Sequence, residues 1–135
     1  MSNLKTLSKL KNAINEFTNS QNGVLGQILI TYPDGVPIVN SWKGEINPII
    51  VGALSAAVKL TFRDLCRKLR KGELKRLFLD NELGKVIIQD AGENAILTTI
   101  IKKKADVFRI AFGMSNLALE LEELLEGFEL EVSDI

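Results

Sequence analysis

The sequence predicts a single-domain α/β (α+β) fold built on an antiparallel sheet. Three observations lead there: helical apolar stripes near both ends, a proline-glycine turn between two β-rich runs, and three further short β-type runs after a long central helix. A chain of 135 residues, 46% hydrophobic, is long enough to bury roughly two thirds of its unfolded surface in one core. Residues 1–127 are expected to form that domain, with 128–135 as an acidic C-terminal tail.

Leu4, Leu7, Leu10, Ile14 and Phe17 recur at helical steps between Lys5, Lys9, Asn12 and Glu16, so the first helix is amphipathic and ends in the polar run 18–23. Residues 24–30 are nearly all apolar, broken by Gly26 and Gln27, as in a strand covered on both faces. Gly26 is expected to let a helix approach closely. Tyr32-Pro33-Asp34-Gly35 marks a turn, because proline presets φ, aspartate bonds its local backbone and glycine accepts positive φ. The second strand, 36–41, contains Pro37, which cannot donate to a ladder; this strand belongs at a rim.

Asn47 followed by Pro48 predicts a capped helix start, and Gly72 a stop after a cationic last turn, so 48–71 reads as one long central helix. Residues 74–79, 85–89 and 95–101 then read as a three-stranded meander. A last helix is expected from about Asp106 to Glu126, with Phe108, Phe112, Leu117, Leu121, Leu124 and Leu125 on or near one face and Gly127 as its stop. Its start is open, since 107–112 could also prolong the fifth strand. The tail carries Glu129, Glu131 and Asp134.

The chemistry-bearing residues exclude more than they suggest. Histidine is absent, which removes the commonest general base and zinc ligand. The single cysteine, Cys66, sits beside Phe62, Leu65 and Leu69 at helical spacing and is expected to be a buried, inert thiol. No phosphate-cradling glycine loop occurs, and Gly84-Lys85 lies between strands rather than before a helix. The carboxylate pairs Asp80/Glu82, Asp90/Glu93 and Glu122/Glu123 read as solvated surface charge. The chain is therefore read as no enzyme, with no catalytic, cofactor-binding or metal-binding residue. With 17 cationic and 17 acidic residues it has no global field to attract nucleic acid or an anionic membrane. The lone cysteine, the absence of an N-x-Ser/Thr acceptor and the lysine-interrupted amino terminus suit the reducing cytoplasm, without membrane insertion.

Two features point to protein binding. On the central helix Gly52, Ala53, Ser55, Ala56 and Ala57 crowd small side chains together, and a mid-helix glycine costs ~1 kcal/mol against alanine, which implies close approach of another backbone. That backbone belongs either to the chain's own sheet or to a second copy. On the third strand, Leu74-Lys-Arg-Leu-Phe-Leu79 has neither proline nor glycine, and at a rim its unpaired backbone groups would invite another strand. Arg63, Arg67, Arg70 and Lys71, joined by Lys68, form a weaker third feature. They stabilise a negative helix end, or they meet an acidic protein partner or lipid headgroup.

The segment Val24-Leu-Gly-Gln-Ile-Leu-Ile30 running into Asp34-Gly35-Val36-Pro37-Ile38, the alanine-rich helix 53–58 and Phe112-Gly-Met114 resemble, in this order, the Roadblock family. This is the dynein light-chain type of domain, also found in bacterial polarity regulators and lysosomal scaffolds. The resemblance spans residues 4–126. It implies a five-stranded sheet in order 2-1-5-4-3, with the long helix on one face and the terminal helices on the other. It also implies pairing, as a homodimer or with a paralogous Roadblock protein, through the long helix and strand three into a ten-stranded sheet. The expected interface comprises Gly52, Ser55, Ala56, Lys59, Leu74, Arg76, Leu77, Phe78 and Leu79. By the same resemblance the partner is a Ras-like small GTPase, which the chain binds, scaffolds or regulates, with Arg63, Arg67, Arg70 and Lys71 as a possible partner patch. The acidic tail and Trp42 match no signature of that family, and a half-buried loop position is expected for Trp42. An alternative is a small-ligand-sensing or structural adaptor domain of the PAS or profilin-like kind.

Overall fold

A computed structural model describes the backbone of residues 2–133 and the side chains of residues 3–127. The tail side chains, Glu129, Glu131 and Asp134 among them, lie outside the described residues. The element order is α1 (Ser2–Ser20), β1 (Val24–Thr31), β2 (Pro37–Trp42), α2 (Pro48–Lys68), β3 (Arg76–Asn81), β4 (Gly84–Asp90), β5 (Ala95–Lys102) and α3 (Val107–Ser133). All pairings are antiparallel and the sheet order is β2-β1-β5-β4-β3, as expected.

The alternation of strand side chains divides the core. On one face Leu29, Ile87, Leu97 and Ile101 pack with Leu10, Ile14, Ile110, Met114 and Leu121 of α1 and α3. On the other, Ile28, Ile30, Ile88 and Ile96 pack with Ala56 of α2. Gln27, which interrupts the apolar run of β1, donates Nε2 across the ladder to Thr99 Oγ1 at 2.9 Å, while its Oε1 is buried without a donor among the described residues.

Several expectations need correction. Gly26 admits no helix: the indole of Trp42 on the neighbouring strand lies where its Cβ would be, and Trp42, half-buried, ends β2 rather than sitting in a loop. The central helix ends at Lys68, short of the expected Lys71. Arg70 adopts φ 58°, Lys71 N–H donates to the Cys66 carbonyl and Arg70 N–H to that of Arg67, a left-handed cap formed without glycine. The last helix begins at Val107, which settles its start, and it passes Gly127 to reach Ser133. Its buried stripe is Ile110, Ala111, Met114, Leu117, Ala118, Leu121 and Leu125, which turns Phe108 and Phe112 outward, 80% and 73% exposed.

Gly52 faces backbone. A Cβ there would sit 2.6 Å from the carbonyl oxygen of Gly35, the positive-φ residue that closes the β1–β2 turn. Helix propensity alone favours Gly52→Ala by ~1 kcal/mol, whereas the clash costs about 1–3 kcal/mol. The variant is therefore expected to melt below wild type in a thermal scan. Gly26→Val is expected to displace the single tryptophan and red-shift its fluorescence.

Candidate functional site

Helix α2 carries the surface of interest, and its start is set locally. Asn47 Oδ1 accepts from Ile49 N at 3.0 Å and Ile50 N at 3.4 Å, while Pro48 occupies the first turn. Gly52, Ser55, Ala56 and Lys59 are its buried residues. All four were expected at a dimer interface. They face the chain's own sheet instead, since the small side chains are what allow α2 to lie against the β1–β2 turn.

The opposite side of α2 is apolar and uncovered by this chain: Ile50, Leu54, Ala57 and Leu65 are exposed, Leu54 by 61%. A helix that is apolar nearly all round belongs inside something. The helix lies over β1 and β2, and on the same sheet face Leu77, Leu79 and Val86 of β3 and β4 are only half-buried. Exposed helix and half-covered sheet thus form neighbouring parts of one surface.

Strand β3 is an outer strand, as expected, although it starts two residues late and leaves Leu74 ahead of it. Its side chains divide between faces. Leu77 and Leu79 lie on the α2 face, whereas Arg76 and Phe78 lie on the α3 face, where Arg76 donates to Gln89 Oε1 and to Ser115 Oγ. The turn into β4 is tight, and Leu83 at its tip is 91% exposed.

The cationic end of α2 is less free than its spacing suggests. Arg67 forks onto the Glu73 carboxylate, Nε to Oε1 at 3.0 Å and Nη2 to Oε2 at 3.1 Å. Arg63 is half-buried, with Nη2 3.4 Å from Asp64. Arg70 and Lys71 are exposed and, at the cap, are placed by the helix end. Cys66 is half-buried rather than buried. Among the described residues no group of His, Cys, Asp or Glu could hold a metal ion, and no helix is long and apolar enough to cross a membrane.

One polar cluster escaped the sequence. Lys59, at 7% exposure, reaches Asp90 Oδ1 at 2.6 Å and sits 3.9 Å above the ring centre of Tyr32. Asp90 is thus no solvated surface carboxylate. Burial pushes its carboxyl above the ordinary range, and the Lys59 hydrogen bond and charge pull it down without cancelling that effect. Nothing in the linear sequence joins positions 32, 59 and 90; the crossing of α2 over the sheet does.

No protein-family model matches the sequence. Among curated proteins, MJ1340 and MJ0310 of Methanocaldococcus jannaschii, both described as uncharacterized, are each 24% identical over 106 residues, covering 78% of this chain and 91% of theirs. Solved structures settle the architecture. The gliding protein MglB of Thermus thermophilus superimposes at a TM-score of 0.82 and 13% identity, covering 90% of this chain and 92% of its own. A Roadblock/LC7 domain from Streptomyces avermitilis does so at 0.79 and 13%, covering 86% and 97%. The fold is that of the Roadblock/LC7 domain. Within the Roadblock fold, the uncovered face of α2 and the outer strand β3 adjoin on one side of the sheet.

An acid with a raised folded-state pKa holds its proton more readily folded than unfolded, so stability is lost as pH rises through that range. Wild type is expected to lose stability relative to Asp90→Asn as pH rises from about 3.8, read from urea midpoints across the acid range. Parallel pH profiles for the two proteins would contradict the assignment.

Proposed function

We propose that this chain is a non-catalytic, dimeric interaction module that binds a Ras-like small GTPase, as scaffold or regulator, in the cytoplasm. The observation that carries the reading is the continuous apolar surface formed by the exposed side of α2 and the half-covered β3–β4 face, bordered by an unpaired strand edge. Surfaces of that kind mark interaction sites. A second copy placed by a two-fold axis would bring its own α2 over the open sheet face and pair β3 with β3. A small GTPase as partner is what the resemblance of residues 4–126 to the Roadblock family implies, and the Roadblock fold is consistent with it. A structurally similar protein is a gliding protein by description, in keeping with a regulatory role.

The interface so proposed keeps Leu77 and Leu79 from the expected set and replaces the buried helix residues with Ile50, Leu54, Ala57 and Leu65. Wild type is expected to sediment at about twice its single-chain mass of 14.9 kDa, and Leu54→Glu at the single-chain value. A wild-type mass of one chain at high micromolar concentration would end the dimer reading. The partner is tested by capture from native lysate with a GTP analogue or GDP present; recovery of dimer without any GTPase would favour the adaptor alternative. If a GTPase is held, Arg67→Ala is expected to leave its hydrolysis rate unchanged, because that guanidinium is already committed to Glu73.

A further inference from the structure

A cleft of about 750 Å³ opens where the end of β4 passes between the C-terminal half of α2 and the middle of α3. Five cationic residues line it, and three are committed within the chain: Lys59 to Asp90, Arg67 to Glu73, and Arg76 to Gln89 and Ser115. Arg63 and Lys75 remain, Arg63 touching only Asp64 at its tip among the described residues. Two donors in this cleft are buried without an acceptor among the described residues: the hydroxyl of Tyr32, a residue 7% exposed, and Nε of Arg63. A buried donor without an acceptor costs about 1–3 kcal/mol, and native structures rarely leave one so. The phenol is not needed for the fold by its polarity, since the ring alone supports Lys59.

We propose that this cleft binds a small oxyanion, the carboxylate or phosphate group of a metabolite, whose oxygens accept from Tyr32 Oη–H and Arg63 Nε–H, with Lys75 supplying further positive charge. Tyr32 and Arg63 line the same cleft and no hydrogen bond joins them; a guanidinium can only donate and the phenol hydroxyl has a proton to donate, so an oxygen-rich anion suits both. Glu93 and Glu122, without a salt bridge among the described residues, also line the cleft. They repel a second anionic group there and accept from hydroxyl or amino groups on the rest of the ligand. The proposal goes beyond the dimer and GTPase reading and rests on neither.

Tyr32 is the only tyrosine in the chain, so a ring-carbon label at Cζ gives one resonance that reports on its hydroxyl. The full chain is titrated with inorganic phosphate and, separately, with succinate, at constant ionic strength against sodium chloride. Saturable movement of that resonance with phosphate, succinate or both, and none with chloride, is the expected result; which anion acts distinguishes a phosphoryl from a carboxylate ligand. Arg63→Met is expected to raise the midpoint about tenfold or more, the weight of a hydrogen bond to a charged group. In Tyr32→Phe, which keeps the ring beneath Lys59, the same weakening is read from the Arg63 Nε–H signal. Absence of saturation with both anions, or midpoints unchanged in both variants, would overturn the proposal, and circular dichroism confirms that each variant is folded.

Discussion

The arrangement depends on one backbone contact, the seating of Gly52 on Gly35. A Cβ on Gly52 would sit 2.6 Å from the Gly35 carbonyl oxygen and force the helix to lift, and one on Gly35 would press at 3.0 Å on Ala53 Cα and the Gly52 carbonyl. That contact anchors the first half of α2 to the turn between β1 and β2, and the helix then lies over those two strands. Everything distinctive about the surface follows: Lys59 is carried over Tyr32 to Asp90, and the β3–β4 face is left half-covered.

Most of the fold was legible because each element has a local cause. Asn47-Pro48 starts α2, Pro37 puts β2 at a rim, and the period-two alternation of β4 and β5 serves two cores. The boundaries that moved are those where a local signal was outcompeted. Arg70 took the left-handed cap that glycine was expected to supply, and α3 continued past Gly127, whose lost side chain costs a helix only ~1 kcal/mol.

The interaction surface was half legible. Sequence showed that α2 is apolar nearly all round, yet periodicity assigns no compass direction, so the small residues could meet either the sheet or a second copy, and only their burial shows that they meet the sheet. β3 is an outer strand, as the resemblance implies, while the face each of its side chains occupies follows only from the register with β4: Phe78 opposite Ile87, Leu77 opposite Ile88. The Tyr32, Lys59 and Asp90 cluster had no signal at all, since its members come from three separate elements joined only by the crossing of the helix.

Phe108, Phe112 and Leu119 form an outward stripe on α3, on the sheet face opposite α2. A two-fold pair closed through α2 would therefore still present two greasy flanks, one on each copy. Symmetry that satisfies one surface duplicates the other, and a particle with two adhesive flanks has the valence of a chain link rather than of an end piece. Its tendency to stay discrete in solution then depends on what else is present to cap those flanks, and on how crowded the particles are.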